Sequence, residues 1–372
     1  MDIFRRSNNI RLSAATTNPY ALGTDTLQIV PHYKYLGLIL DSTLSWRPHF
    51  CALKKKIERS SYLLSRVIDP HISTPIVPCL ALLLKATVRS QIAYALPLWQ
   101  PTKAMLQSLQ FHMLRSVRRV LCQPPSCPTD GILADTGLPS LRVYRQYLLC
   151  KLGERYQSMP SQLRSQHPAC STFFQYYDND TDYSRYGQYT PIGYQVRHAE
   201  HKWHLPTLSH STRSATHLRT ALAHQQDRNW LRANTDTCIY LRDQLGDTGA
   251  SDMKYYLTVD NKRTAAFRCR LRMRRSNLHA DLHRFSRSPT GTAACPLCGC
   301  PSQTIQHMVE DCPVLTSARQ QLYNQLTNID PSLTPTVSLI LAIIPDHYKR
   351  HKHKILLYTG HFIHQLNYLH SL

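Results

Sequence analysis

Acidic residues are scarce in this 372-residue chain. Its 23 Asp and Glu face 44 Lys and Arg, an excess of +21 before any of the 20 His takes up a proton. Such an imbalance excludes a self-neutralising surface and implies a polyanionic partner, either nucleic acid or an anionic membrane face. Glycine is also sparse, at 12 residues, while hydrophobic residues make up 42%. That combination argues against a fibrous or wholly disordered chain and for helical globular parts. Long apolar runs are missing. The most apolar stretch, from Ile76 to Trp99, is broken by Lys85, Arg89 and Gln91, which a bilayer-spanning helix rarely carries, so no membrane is expected. The start, MDIFRRSNNIRLS, has no apolar h-region and no small-residue cleavage site, which excludes a secretory signal. Nuclear or cytoplasmic localisation is the expectation.

The usual seats of catalysis are missing too. There is no phosphate-binding G-x-x-x-x-G-K-[ST] loop and no G-x-S-x-G elbow. No two Asp are adjacent anywhere in the chain, so no such pair is present to hold two magnesium ions for phosphoryl transfer. No catalytic residue and no small-molecule substrate is therefore expected.

What is present is mainly helical patterning, over a length that suits two or three domains. Thr26 to Val30 and Tyr33 to Leu40 read as short β-prone runs forming a hairpin, with residues 1–42 as one unit. A helical bundle is expected over 43–158. Its first helix runs from about Pro48 to Val67, with Phe50, Leu53, Ile57, Leu64 and Val67 inside. A second begins after Thr74 or Pro78 and ends before Pro97. The third starts at Thr102 as N-cap, and Met105, Leu106, Leu109, Met113, Val117, Val120 and Leu121 form its apolar stripe. A fourth covers Leu141 to Tyr156. Residues 159–251 read as an irregular linker with one amphipathic helix, Ser211 to Ala233. Within it Phe173 to Tyr194 lacks periodicity. A basic helical region, 252–372, closes the chain, with one helix predicted from Asn261 into the 280s, another from about Ser317 to Leu326, and a final apolar helix with Lys349, Arg350, Lys352 and Lys354 at its start.

Two features carry chemistry. Of twelve Cys, eight are scattered singly and four crowd near the C-terminus, which fits a metal site better than a disulfide framework. Cys295, Cys298, His307 and Cys312 have the spacing C-x2-C-x8-H-x4-C. Zinc asks for four thiolate or imidazole donors in a tetrahedron. C-x2-C delivers two from one turn, and Gly299 lets the backbone fold over the ion. Four protein ligands leave no open position, so a structural Zn2+ is expected, with the segment 295–312 folding around it. Cys300 reads as a bystander. The group His198, His201, His204 and His210 lies in polar sequence and reads as surface His rather than a second metal site.

The second feature is cationic. Lys262, Arg263, Arg268, Arg270, Arg272, Arg274 and Arg275 carry no acid among them and are expected to touch phosphates of RNA or DNA, with little sequence preference. Lys54, Lys55, Lys56, Arg115, Arg118 and Arg119 on the first helices are expected to do the same.

Several of these segments resemble a known family. Tyr33-Lys34-Tyr35-Leu36-Gly37-Leu38-Ile39-Leu40-Asp41, then Leu44-Ser45-Trp46 and His49, are similar to the passage from the end of the palm into the helical thumb of non-LTR retrotransposon reverse transcriptases. Tyr94 to Trp99, Leu109-Gln110, Leu114-Arg115 and Asp135-Thr136-Gly137-Leu138-Pro139 continue the likeness. Arg270-Leu271-Arg272 and the Cys295, Cys298, His307, Cys312, Pro313 set resemble the zinc knuckle that ends many such polyproteins. Together they cover half to two-thirds of the chain, in the family's order. Gln303, Thr304 and Gln306 stand where the family often has acids. Its catalytic Asp pair would lie before Tyr33, where only 32 residues remain. The resemblance thus implies a thumb-like bundle and a zinc knuckle that bind nucleic acid, without polymerase activity of their own. Two alternatives stand beside it: part of a complete RNA-directed DNA polymerase, or an interaction module retained from one.

Overall fold

The computed structural model describes residues 21–22, 25–26, 30–67, 77–179, 190–205 and 215–369. A hairpin forms, but inside the run expected to be one strand. His32–Tyr35 pairs antiparallel with Leu38–Asp41, Tyr35 lying opposite Leu38. The turn is Leu36-Gly37, with φ of 45° and 83°. Two successive left-handed residues are what a two-residue type I′ turn requires, and alternation alone does not reveal them. A second short pair joins Ala21–Leu22 to Asp25–Thr26.

Asp41 ends the hairpin and organises the turn into the first helix. Its carboxylate accepts from Thr43 Oγ1 (2.6 Å), Ser45 N (3.1 Å), Ser45 Oγ (2.9 Å) and Trp46 N (3.2 Å). Burial pushes its pKa up, but these bonds outweigh it and hold the group below its ordinary value. Behind it, His49 Nδ1 accepts the Ile39 N–H at 3.4 Å. The His49 ring meets Trp99 edge-on at 5.2 Å, and Trp46 lies 6.4 Å from Trp99. The residues behind the N-terminal resemblance are therefore joints between hairpin and bundle.

Burial holds the His49 imidazole below its ordinary pKa. Between the unfolded value of about 6.5 and the lower folded one, the unfolded chain binds the proton that folded His49 refuses. Stability contributed by neutral His49 is thus full above about pH 6.5 and declines as pH falls below it. His112, also lowered by burial, acts in the same direction. We expect urea midpoints to drop between pH 7.5 and 5.5, and His49→Gln to flatten part of that slope. Identical slopes in the two proteins would remove His49 from the account.

The helix Arg47–Val67 buries Leu53, Ile57 and Leu64. Lys103–Val120 runs against it, capped by Thr102 Oγ1 accepting from Met105 N at 3.2 Å, with Leu109, Met113 and Val117 inside. The two are tied by a buried hydrogen bond between the Ser61 and Ser116 hydroxyls, 2.5 Å. The intervening apolar segment is not one α-helix. Val77–Leu84 passes through a widened π-turn, Lys85–Arg89, into Ser90–Ala93. Thr87 Oγ1 donates back to Leu83 O at 2.7 Å and Ser90 to Ala86 O, and such back-bonding loosens a helix. Leu141–Gln157, capped by Ser140, completes this bundle.

The expected linker is largely helical where it is described, and Ala215–Leu231 falls inside the helix expected from Ser211 to Ala233. Ser161–Gln166, Pro168–Tyr177, Ile192–Lys202, Ala215–Leu231 and Asp236–Ile239 pack on the bundle, while 180–189 and 206–214 lie outside the described residues. The packing is aromatic. Phe173 stacks on Tyr156 at 4.6 Å and on Tyr177 at 5.7 Å, with Leu149 and Val196 around them. Gly193 permits the close approach of two helices, since a Cβ there would sit 2.2 Å from Phe173 O. Farther on, the buried Trp230 donates to Asp247 O at 2.7 Å.

The basic helix is Lys262–Arg272, with Asn261 as N-cap accepting from Thr264 N at 2.9 Å. It does not run into the 280s: Arg274 turns left-handed at φ 51°, and a separate short helix covers His279–Arg284. Its side chains divide at four-residue spacing. Ala265 and Cys269, followed by Met273, belong to the bundle core with Tyr256, Leu257 and Leu356. Phe267 and Leu271 belong to a second core with Met308, Val309, Leu315, Leu322, Ile355 and Ile363. Arg268 and Arg272 lie in the seam, both 0% exposed. The bundle core therefore crosses the boundaries expected at 158 and 251. Thr316–Thr327 and Lys352–Leu369 complete the second core. Among the described residues no helix is long and apolar enough to cross a membrane.

Candidate metal centre and nucleic-acid interface

Cys295, Cys298, His307 and Cys312 converge, with their ligand atoms all within 4.8 Å of one another. Gly299, at φ +74°, turns the chain, and its N–H donates to Cys295 O at 2.9 Å. Cys295 N in turn donates to Cys300 O at 2.8 Å. The other pair needs a special geometry. At 3.6 residues per turn, positions five apart are roughly 140° out of register. A π-turn, His307–Asp311, corrects this: Cys312 N bonds His307 O at 2.8 Å. His307 Nε2 lies 3.3 Å from Cys298 Sγ.

The four side chains could hold a metal ion. Ligands of a tetrahedral site with bonds of about 2.3 Å to sulfur stand roughly 3.8 Å apart, which the observed spread accommodates. Burial, together with the Cys298 and Cys295 thiols beside it, pushes Cys312 up to about 11. Cys298, bonded to the Cys300 backbone, sits below its ordinary value. Cys300 is half-buried and is not one of the four. Gln303, fully buried, anchors the loop by donating its N–H to Ala293 O and accepting from His279 N at 2.9 Å.

The expected phosphate contacts fare unevenly. Arg268 spends all five guanidinium protons inside: on Asp260 (2.7 and 3.1 Å), Ile340 O (2.6 Å), Thr359 Oγ1 (3.1 Å) and Leu356 O (3.2 Å). Arg272 grips Asp135 at 2.8 to 3.1 Å, reaches Asp247 at 2.5 Å and donates to Leu341 O. Tyr256 hydroxyl donates to Asp135 (2.7 Å) and Lys254 Nζ to Asp247 (2.5 Å). Burial raises Asp247, but Arg272 and Lys254 outweigh it and hold its carboxyl below the ordinary value. Lys262 is 3% exposed, and Arg118 is buried against Cys127 O (2.8 Å). These four cations, Arg118, Lys262, Arg268 and Arg272, are structural; a phosphate cannot reach them without dismantling the fold. Asp135 and Asp247 were not legible as partners of Arg272, because no local spacing connects residues 137 or 25 apart, and Asp260, eight residues before Arg268, gave no sign of the seam that buries the pair.

The remaining cations are accessible. Lys55, Lys56, Arg115, Arg119 and Arg263 are exposed and Lys54 half-buried. Lys54 and Arg115 both act on the His112 imidazole, as does Glu58, which lies 3.6 Å from it, so the first and third helices bring these charges together on one side. Arg270 and Arg275 line a cleft of about 340 Å³ with Cys122, Phe285 and Arg287. Arg270 donates to Cys122 O at 2.8 Å, while its Nε is buried without a partner. Arg275 covers Phe285 at 3.7 Å, and burial together with the charges of Arg284 and Arg287 outweighs the nearby acids to hold its pKa down. Arg274, half-buried, stands over Tyr240 at 5.1 Å. His198, His201 and His204 are exposed and form no metal cluster among the described residues; His210 lies outside them. Comparison of the chain with protein-family models, with curated proteins and with solved structures finds no match to any of them.

Proposed function

We propose that this chain binds nucleic acid through its phosphate backbone and that a structural zinc ion organises its C-terminal segment. The observation that carries this reading is where the charge is spent. Arg268, Arg272 and Lys254 face Asp135, Asp247 and Asp260, three against three. That network is neutral, so the whole excess of +21 belongs to the rest of the molecule. Lys54, Lys55, Lys56, Arg115 and Arg119 would supply one set of contacts, and Arg263, Arg270, Arg274 and Arg275 a second. The resemblance to the C-terminal part of non-LTR reverse transcriptases supports RNA or DNA as the partner, in a role without polymerase chemistry. Cys295, Cys298, His307 and Cys312 would hold the zinc, whose contribution is to fix the loop beside the second core.

Filter binding over a salt series tests this. The logarithm of affinity for RNA and DNA should fall linearly with the logarithm of salt, and Lys55→Glu with Lys56→Glu should lower the slope by about one per lost contact. A salt-independent affinity would sink the proposal. A second reading, a protein-interaction module, has one observation in its favour. Tyr33, Tyr35, Leu36 and Tyr94 are 57 to 73% exposed, and Tyr94 hydroxyl donates to Leu36 O at 2.8 Å, so Tyr94 and the hairpin turn share an exposed apolar surface. Nuclease-resistant association that is lost in Tyr94→Ser would favour it.

A further inference from the structure

A cavity of about 490 Å³, apart from the metal centre and the basic cleft, opens where Leu141–Gln157 meets Ile192–Lys202. Gln100, Thr102, Arg145, Gln146, Tyr194 and His198 line it. Arg145 donates from Nε to Leu96 O at 3.2 Å and from Nη2 to Gln195 Oε1 at 2.6 Å. Both acceptors are neutral, and among the described residues no carboxylate pairs with this guanidinium, unlike those of Arg268 and Arg272. Burial pushes its pKa down to about 10, so it keeps its charge at neutral pH. A half-buried cation partly withdrawn from water without a counter-charge is costly, and an anionic ligand in the cavity would supply the missing charge.

A second source of positive potential reaches the same cavity. Thr102 caps the 18-residue helix Lys103–Val120, whose first turn carries no acid. Beyond the Met105 N–H that the Thr102 hydroxyl accepts, the helix N-terminus therefore keeps its partial positive charge. Donors are also in surplus. Gln146 spends its oxygen accepting from Trp203 Nε1 at 3.2 Å, which leaves its amide nitrogen unspent. His198 is exposed and stacked on Tyr194 at 6.1 Å, its ring nitrogens open to hydrogen bonding. Donors on several sides suit an acceptor with three oxygens better than a carboxylate with two.

We propose that this cavity binds a phosphate group, with Arg145 as its charged anchor and the Lys103–Val120 N-terminus, Gln146 and His198 completing the donor set. The site does not depend on the backbone contacts proposed above. Its phosphate comes from a free nucleotide or from the end of a nucleic-acid strand, and the chemistry is shared.

Calorimetric titration of the intact chain, in salt high enough to suppress long-range attraction, would use inorganic phosphate, AMP, and a short 5′-phosphorylated oligonucleotide beside its unphosphorylated twin. Saturable 1:1 binding is expected. Arg145→Lys, which keeps charge but loses the planar fork, should weaken it about tenfold. His198→Ala, an exposed change that leaves the fold alone, should weaken it less. Lys55→Ala with Lys56→Ala should bind phosphate as the parent does, even where its backbone affinity falls. Preference for AMP identifies a free nucleotide; preference for the phosphorylated strand over its twin identifies a strand end. The proposal is overturned if no phosphate probe binds saturably, or if His198→Ala and a folded Arg145→Lys both bind as the parent does.

Discussion

Asp135→Ala is expected to destabilise the protein by about 3–5 kcal/mol, the cost of leaving a buried charge without its partner. Asp135 is 0% exposed and accepts both Arg272 and the Tyr256 hydroxyl. Its removal leaves Arg272 leaning on Asp247 alone, a carboxylate already shared with Lys254. The phenol of Tyr256 is orphaned as well. The expected loss belongs to breaking the set, not to the worth of an ion pair in itself. Replacing such a set by well-packed apolar residues is often neutral or better. Accordingly Asp135→Leu combined with Arg272→Met should recover part of what Asp135→Ala loses. Urea denaturation at pH 7 measures both; a loss below about 1 kcal/mol in the single variant would mean that the network is dispensable.

The second large effect concerns the metal. Purified chain should contain one equivalent of zinc, lost in Cys295→Ser and in Cys298→Ser but kept in Cys300→Ser. Structural zinc in small domains supplies on the order of 10 kcal/mol of folding free energy. Here Cys295 and Cys312 are themselves part of the second core, beside Met308, Val309 and Leu315. Chelation should therefore open the region around 288–333 to protease before the bundle is touched. A metal-free protein that resists cleavage there as well as the loaded one would show that the apolar contacts suffice alone.

Local features were legible in the sequence and remote ones were not. The Thr102 cap, the stripe of Leu109, Met113 and Val117, and the metal-ligand set each lie within about twenty residues and announce themselves by spacing. The π-turn between His307 and Cys312 was implicit in the five-residue interval, once the register of an α-helix is considered. Ala215–Leu231 falls inside the helix expected from Ser211 to Ala233, but the helices between 161 and 202 were missed because Tyr, Gln and His make up much of their surface. Rings such as those of Tyr156, Tyr177 and Trp230 bury their bodies while counting as weakly apolar. The Arg-rich helix misled for the opposite reason. Absence of nearby acid looked like availability, whereas the acids reside at Asp135 and Asp247, and Asp260 stands just before the helix. The motifs behind the resemblance share this character: Asp41, Trp46 and His49 form a joint, and Asp135 meets Arg272 across the chain.

That meeting has a temporal side. Asp135 and Arg272 are 137 residues apart, and Arg270 bonds Cys122 O across 148. At ordinary ribosomal speeds of about 5–20 residues per second, Asp135 emerges roughly 7–27 s before its partner exists. Through that interval the nascent bundle lacks Ala265, Cys269 and Met273 as well as the neutralising guanidinium. The first half of this protein must wait for the second, and its most vulnerable moment is during its own synthesis, when a chaperone has the longest time to act.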